Sequence, residues 1–173
     1  LPYPGGPSIS LLAKQGNPAK YKLPKAKLKG KYDFSFSGLK TAVLRSVQRE
    51  VDVDFNFPSH QLAELLNDTQ RADFAASFQF IAIQTLVDKT IMAFNEYNPQ
   101  SVVIAGGVAA STELRSQLSS RLPIAIDYAA MNLCTDNAAM VATLGYYYSI
   151  KNPATGPYDL KVIPSLSMTK TTW

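Results

Sequence analysis

Hydrophobic and polar residues alternate along the chain with two periods, one typical of helices and one typical of strands. Between about residues 69 and 97, apolar side chains recur every three or four positions, which places them on one face of a long helix. A second apolar face on the same segment predicts that this helix packs on two sides. The first face comprises Ala76, Phe80, Ile83, Val87, Ile91 and Phe94, and the second comprises Phe74, Phe78 and Ile81.

The N-terminal third is predicted to hold loops, short helices and an edge strand. Residues 1–7 contain three prolines and two glycines, a composition typical of a tight loop. Ser8 is expected to cap a helix that runs to about Ala13. Residues 33–37 alternate polar and aromatic side chains, which predicts an edge strand, and a helix over about 39–50 follows.

A connector and another short helix precede the long one. Residues 51–58 are expected to form the connector, which ends at a proline. Ser59 has the chemistry of an N-cap for a helix through residues 62–66. The polar run at residues 67–69 is expected to interrupt this helix before the long one starts.

The next segment predicts a strand, a helix and a second strand. Residues 101–105 form a short, almost wholly apolar run, as expected for a strand buried on both faces. A Gly-Gly pair follows, and Ser111 is expected to cap a helix that ends at about Arg121. Residues 124–126 are predicted to form the second buried strand.

The chain is predicted to end with one more helix. Asp136 is expected to cap it, and it should run to about Ile150 before Pro153 and Pro157 stop it. Strands that alternate with helices, after a helical half, predict an α/β architecture.

Composition excludes several classes of protein. With 46% hydrophobic and 17% charged residues, the chain is neither a disordered tail nor a collagen-like or disulfide scaffold. Its apolar stretches are too short to span a membrane, and its N-terminus does not resemble a signal peptide. Cys134 is the single cysteine and cannot pair within the chain, which predicts a reducing compartment, the cytoplasm. Because the first residue is Leu1 rather than Met, we expect a piece of a longer protein.

Positive charge is concentrated in one segment. The net charge is +4, and no acidic residue occurs before Asp33. Seven lysines occur before that point, at positions 14, 20, 22, 25, 27, 29 and 31. Such a segment is able to contact nucleic-acid phosphates, but charge patterning alone favours a solvated loop equally well.

Two features indicate ligand chemistry, each with a structural alternative. Gly106 and Gly107 lie between a strand and a helix start, where a ligand can approach the backbone; a turn that needs positive φ would use the same residues. Asp136 is either a helix cap or a carboxylate that faces a metal, and Cys134 could face the same ion. His60, the only histidine, is expected at the surface.

Four segments, in this order and spacing, resemble one family. They are YPGGP from Tyr3, DFSFSGLKT from Asp33, AGGVAA from Ala105 and CTDNAAM from Cys134. Together they are similar to the C-terminal half of TsaD, the tRNA N6-adenosine threonylcarbamoyltransferase family. The resemblance covers residues 1 to about 168 and implies an actin-like, two-lobed fold related to sugar kinases and heat-shock ATPases. This chain would supply most of the second lobe, in regions 1–57, 58–100 and 101–152 with a tail at 153–173.

The resemblance also implies a site. The aspartate of the CTDN segment, Asp136, would hold a divalent metal (Fe or Zn) together with two histidines of an HxxxH motif outside this chain. Threonylcarbamoyl-AMP would contact Gly6 and rest against Gly106 and Gly107. It would also contact Ser111, where the family has asparagine and this chain has a shorter hydroxyl. No residue of the chain is identified as a general base.

The implied reaction moves the threonylcarbamoyl group to N6 of the adenosine 3′ of the anticodon, with AMP as the leaving group and the metal polarising the carbonyl. TsaB-like and TsaE-like proteins are the implied partners, and the lysine-rich segment becomes a more credible tRNA contact. The missing half implies that this chain alone is inactive.

Three other functions are alternatives to this one. Another actin-like ATPase or kinase lobe would share the strand, Gly-Gly and helix, but gives no reason for a metal-facing Asp136. A non-catalytic fragment that binds RNA or a partner would use the lysines. A peptidase is disfavoured, because the sequence shows neither an activated nucleophile nor a complete set of metal ligands.

Overall fold

The computed structural model describes residues 1–152 together with Gly156, Tyr158 and Ile163. The chain divides into two compact units, Leu1–Cys134 and Thr135–Trp173. The predicted stops at Pro153 and Pro157, and most of the predicted tail, lie outside the described residues.

The described residues form helices and one small parallel sheet. The first unit holds both strands and all helices except the last, which belongs to the second unit. Short 3-10 turns follow both strands, at Gly107–Ala110 and Met131–Leu133. In chain order the elements are α1 (Gly5–Ala13), α2 (Ser37–Glu50), α3 (Leu62–Leu65), α4 (Asp68–Tyr97), β1 (Val102–Ile104), α5 (Thr112–Arg121), β2 (Ile126–Tyr128) and α6 (Ala138–Lys151).

Helix α4 is the longest element, and local chemistry fixes both of its ends. At the start, the Asn67 side chain accepts a hydrogen bond from the Gln70 N–H at 2.8 Å, and the Gln70 side chain accepts one from the Asn67 N–H at 3.0 Å. This reciprocal pair is a capping box. At the end, Asn98 adopts a left-handed conformation with φ of 42°, which terminates the helix. The helix predicted over about 69–97 is confirmed.

Helix α4 contributes to two hydrophobic clusters, as its two apolar faces predicted. Ile83 and Val87 pack against α5 in one cluster. Phe74 packs against α2 and α3 in the other. Packing on two sides is therefore confirmed, although Phe80 of the first face is 38% exposed.

Strands β1 and β2 are parallel, with Val102 opposite Ile126 and Ile104 opposite Tyr128. Parallel neighbours need a crossover connection, which α5 supplies. The expectation that β1 is buried on both faces was wrong. Val103 is 67% exposed, whereas Val102 and Ile104 pack on the cluster between α4 and α5. Within the described residues, helices cover only one face of this sheet.

The second strand starts later than predicted. It spans Ile126–Tyr128 instead of residues 124–126. The reason is register, because pairing with β1 sets Ile126 opposite the first residue of that strand.

The expected loop over residues 1–7 was partly wrong, because α1 starts at Gly5. Pro7 is tolerated there, since the first-turn N–H groups of a helix have no partner within the helix. Ser8 lies inside the helix and does not cap it; its hydroxyl donates to the carbonyl oxygens of Pro2 and Pro4.

After α1 the chain passes so close to α4 that a Cβ on Gly16 would lie 2.0 Å from the carbonyl oxygen of Ala72.

Two further local predictions were wrong. Residues 33–36 are irregular and α2 already starts at Ser37, so the predicted edge strand does not form. A strand needs a neighbour, and among the described residues β1 and β2 pair only with each other. Helix α3 follows Gln61 without a side-chain cap, so Ser59 is not its cap.

The described helices include none long and apolar enough to cross a membrane.

Candidate substrate and metal site

The two glycines after β1 have different structural roles. Gly106 has φ of 90°, a conformation that only glycine adopts readily, so the turn itself requires this residue. Gly107 has no such requirement, and a Cβ placed on it would meet no described atom within 4 Å. The structural alternative, a turn that needs positive φ, therefore explains Gly106. Gly107 leaves an open stretch of backbone that a ligand can approach.

Ser111 joins this turn to α5. Its hydroxyl oxygen accepts a hydrogen bond from the Leu114 N–H at 3.3 Å, so the predicted cap is confirmed. A hydroxyl that accepts one bond still has its own proton to donate. Ser111 also follows the carboxyl end of β1, and ligands bind at this edge of parallel sheets.

Arg115 holds this region together and was missed by the sequence analysis. Its guanidinium donates to the carbonyl oxygen of Ala109 at 2.6 Å and to that of Ala129 at 3.1 Å. It also donates to the sulfur of Cys134 at 3.4 Å and lies 4.5 Å from the centre of the Tyr128 ring. One side chain therefore ties together the turn after β1, the end of β2 and the residue that precedes the Thr-Asp-Asn segment.

Cys134 does not have the surroundings of a metal ligand. The side chain is 3% exposed, and its thiol contacts the carbonyl oxygens of Ala129 and Ala130 at 3.5 and 3.4 Å. The hydrogen bond from Arg115 completes this environment. The suggestion that Cys134 faces the same ion as Asp136 is therefore not supported.

Asp136 is not the cap of the final helix, contrary to the prediction. Asn137 takes that position, and its side-chain oxygen accepts a hydrogen bond from the Met140 N–H at 3.0 Å. Asp136 is exposed and has no hydrogen bond or ion pair to any residue that the structure describes. Of the two readings of Asp136, the capping role is thus excluded. A carboxylate without a structural partner is available to an ion.

Gly6 lies in the first turn of α1 and not in a loop. The N-cap residue of this helix, Pro4, provides no side-chain hydrogen bond, so the N–H groups of the first turn are left to solvent or a ligand. A Cβ on Gly6 would meet no described atom within 4 Å. His60 is exposed, as predicted.

The structure brings only part of the predicted site together. Gly106, Gly107 and Ser111 share one strand–turn–helix connection, whereas Gly6 lies on α1, which packs on α4. Asp136 belongs to the second unit. Among the described residues, no group of three or more His, Cys, Asp or Glu side chains is placed to hold a metal.

A cavity of about 680 Å³ lies elsewhere in the first unit. Its lining is mostly apolar and comes from α1, α2, α4 and the residues around α3, with Lys40 and Arg71 as its charged members. None of the predicted site residues lines it.

Comparison with known proteins gives this geometry its context. A family model described as "TsaD: tRNA N6-adenosine threonylcarbamoyltransferase" matches residues 1–143. The chain belongs to the TsaD family. The match includes all the predicted site residues, from Gly6 to Asp136, and confirms the resemblance that the four motifs indicated.

Relatives of this chain have the same name as the family model. A protein from Symbiobacterium thermophilum named tRNA N6-adenosine threonylcarbamoyltransferase is 43% identical over 171 residues, which cover 97% of this chain and 46% of the relative. Proteins of that name from Thermomicrobium roseum and Dehalococcoides mccartyi are 43% and 41% identical, over 85% and 98% of this chain and 42% and 46% of their own lengths. The chain therefore spans less than half the length of these relatives.

Proposed function

We propose that this chain is the C-terminal part of a transferase that moves a threonylcarbamoyl group from threonylcarbamoyl-AMP to N6 of the adenosine 3′ of the tRNA anticodon. The family match and the relatives' shared name support this function and not that of an actin-like ATPase or kinase. Because the chain covers less than half of those relatives, the activity is proposed for the complete protein. The chain alone is expected to be inactive. In the complete protein it forms an actin-like second lobe.

The observation that carries the proposal is the state of Asp136. An aspartate at a helix start usually serves as the cap, but here Asn137 performs that task, and the Asp136 carboxylate has no partner among the residues that the structure describes. Hard oxygen ligands of this kind suit divalent metals, and two histidines from outside the chain would complete the set. When bound, a divalent ion (Fe or Zn) would supply polarisation of the carbamoyl carbonyl.

The substrate side of the site consists of backbone surfaces. Gly107 leaves room for the adenosine part of threonylcarbamoyl-AMP beside the turn after β1, with Gly106 holding that turn in its positive-φ conformation. Ser111 donates its hydroxyl proton to the same ligand while its oxygen caps α5. Gly6 offers the uncapped first turn of α1, which favours an anionic group such as a phosphate.

The reaction that these surfaces would support is an acyl transfer. The N6 nitrogen of adenosine bonds to the carbamoyl carbon, the bond from that carbon to the phosphate oxygen breaks, AMP leaves with the electron pair, and N6 releases one proton to water. Arg115 acts indirectly, because it fixes the backbone on either side of the site. The proposed partners are tRNA and TsaB-like and TsaE-like proteins, and the proposed compartment is the cytoplasm.

The proposal is tested by reconstitution. This chain is combined with a recombinant N-terminal half of a TsaD protein, or extended to full length, and incubated with TsaB-like and TsaE-like proteins, threonylcarbamoyl-AMP, unmodified tRNA and either Fe²⁺ or Zn²⁺. We expect modified adenosine, detected by mass spectrometry of digested tRNA, and none from the chain alone. No modification by the full-length protein with either ion, although it binds both substrates, would contradict the proposed function.

A further inference from the structure

The lysine-rich segment is an ordered strap and not a free loop. Residues 17–33, here called the lysine strap, have no helix or strand of their own but follow α4 from one end toward the other. The α4 residues that they contact span about 35 Å at 1.5 Å per residue. Four polar contacts join the strap to α4. The N–H groups of Asn17 and Tyr21 donate to the side chains of Asp73 at 2.7 Å and Ser77 at 3.2 Å. The side chains of Lys25 and Lys31 donate to those of Asp88, at 2.6 Å, and Glu96.

Apolar contacts hold the first half of the lysine strap in a fixed orientation. The Tyr21 ring stacks on Phe74 of α4, with centroids 3.6 Å apart and planes 4° from parallel. Leu23 is buried, at 6% exposure. Tyr21 is half-buried, so this half of the strap turns the side chains of Tyr21 and Leu23 toward the protein and leaves Lys20 and Lys22 between and beside them. Both lysines are exposed, in agreement with this geometry.

Two lysines of the strap serve as anchors. Lys25 forms an ion pair with Asp88, which Arg121 of α5 also contacts at 3.2 Å. Partial burial raises the pKa of Asp88, but the hydrogen bonds and charges of Lys25 and Arg121 outweigh it and hold that pKa below its usual value. Lys31 pairs with Glu96 at the far end of α4, and its hydrogen bond holds the pKa of Glu96 below its usual value. These lysines are therefore neutralised within the protein.

The remaining lysines of the strap are not neutralised. Lys20, Lys22, Lys27 and Lys29 are exposed, and none of them forms an ion pair with a residue that the structure describes. The sequence has no acidic residue before Asp33 that could do so locally. A fixed row of unpaired cations repels itself, and this cost is recovered when a polyanion binds.

We propose that the lysine strap is a tRNA-backbone binding surface, in which Lys20, Lys22, Lys27 and Lys29 contact phosphates while Lys25 and Lys31 anchor the strap to α4. The inference rests on the proposed function for the identity of the polyanion, since the relatives are named for tRNA. A polynucleotide fits better than an acidic protein because phosphates repeat along a length comparable with the strap, and because lysine contacts to phosphates position RNA without reading its sequence.

Binding of an unmodified tRNA transcript to the whole 173-residue chain tests this surface, by fluorescence anisotropy between about 50 and 200 mM salt. The variants are Lys20→Gln with Lys22→Gln, and Lys27→Gln with Lys29→Gln. The control, Arg49→Gln with Lys151→Gln, also removes two exposed charges, from the last turns of α2 and α6. Circular dichroism verifies that all variants fold.

The slope of log K against log salt is negative, and each strap variant is expected to make it shallower by about 1.4 to 1.8, because each phosphate contact contributes about 0.7 on single strands and 0.9 on duplexes. The control should leave the slope close to that of the unaltered chain. Slopes that become equally shallow in the strap and control variants, or that stay unchanged in all of them, would overturn the proposal. An acidic protein partner would then be the better occupant.

Kinetics of a full-length protein that carries the same changes separate this inference from the proposed function. Strap variants are expected to raise KM for tRNA and leave kcat for threonylcarbamoyl transfer unchanged. A full-length protein that binds tRNA through the strap but transfers nothing would contradict the proposed function and leave the binding surface supported. A protein that transfers normally, with KM unchanged in both strap variants, would overturn the surface alone.

Discussion

Replacement of Arg115 by alanine tests whether one side chain organises the region around the Gly-Gly turn. The guanidinium reaches three backbone or sulfur acceptors that are distant in sequence and also contacts the face of Tyr128. Alanine removes all of these contacts at once. It leaves the carbonyl oxygens of Ala109 and Ala129 without this donor.

The expected loss is about 3.5 kcal/mol in the free energy of unfolding. Hydrogen bonds that involve a charged group are worth about 1.5 to 3 kcal/mol each, and we use the lower value for the two carbonyl bonds because Arg115 is only half-buried. The contact with the Tyr128 ring adds about 0.5 kcal/mol, the value for exposed sites. The long contact to the Cys134 sulfur is given no weight.

Two measurements check this value. Urea unfolding followed by circular dichroism gives the free energy, and the rate at which a disulfide reagent labels Cys134, the single cysteine, reports the local structure. Arg115→Ala should label faster, because Cys134 is buried beside the guanidinium. Arg121→Ala is the control, since it loses one exposed ion pair worth about 0–1 kcal/mol. A loss no larger than that of the control, with unchanged labelling, would refute the reasoning.

Three further predictions concern single positions. Gly106→Ala should cost about 1–3 kcal/mol in urea unfolding, because φ of 90° with ψ of 171° is a conformation that essentially only glycine adopts. Gly107→Ala should leave stability unchanged and weaken only calorimetric binding of threonylcarbamoyl-AMP to the full-length protein. Ser111→Ala should cost about 1 kcal/mol because the α5 cap is lost, whereas Ser111→Asn should keep the cap and tighten binding of the same ligand. The folded-state pKa of Asp88 is lowered, so its pairing with Lys25 stabilises the fold above the unfolded pKa of about 3.9, and this contribution is lost as pH falls through the folded pKa. Asp88→Asn should therefore unfold at lower urea than the unaltered chain near neutral pH, and the two should converge in acid.

Each of these predictions has a contrary result. Equal stability of the two glycine variants would show that the turn does not depend on φ at Gly106. An asparagine at position 111 that destabilises as much as alanine would contradict the capping role of Ser111. A difference between Asp88→Asn and the unaltered chain that stays constant with pH would show that the Asp88 carboxylate contributes nothing through its charge.

The sequence predicted elements whose signals are local. Helix α4 has a continuous apolar periodicity, and α5 has a serine cap, so both helices form where expected. The edge strand at residues 33–37 failed because a strand depends on a neighbour from elsewhere in the chain. The exposure of Val103 was missed for the same reason, since an apolar run does not indicate which of its faces another element will cover.

The site was predicted in part. Asp136 and Asn137 are adjacent and both suit an N-cap, so sequence alone cannot choose between them; the hydrogen bond to Met140 decides for Asn137. Arg115 left no signal, because its partners are mainly backbone carbonyls, and any residue type provides those. The motif resemblance located Gly107 and Ser111, and the structure added the distinction between the glycine that the turn requires and the one that leaves the backbone open.

The most direct test of the proposed function is Asp136→Ala in a full-length protein that carries this chain. Bound metal is measured by elemental analysis and threonylcarbamoylation of tRNA by mass spectrometry. Asp127→Ala removes another exposed carboxylate, from β2, and serves as the control. We predict that Asp136→Ala loses both metal and activity with its circular dichroism unchanged, while the control keeps both. Full metal content and activity in Asp136→Ala would contradict the account.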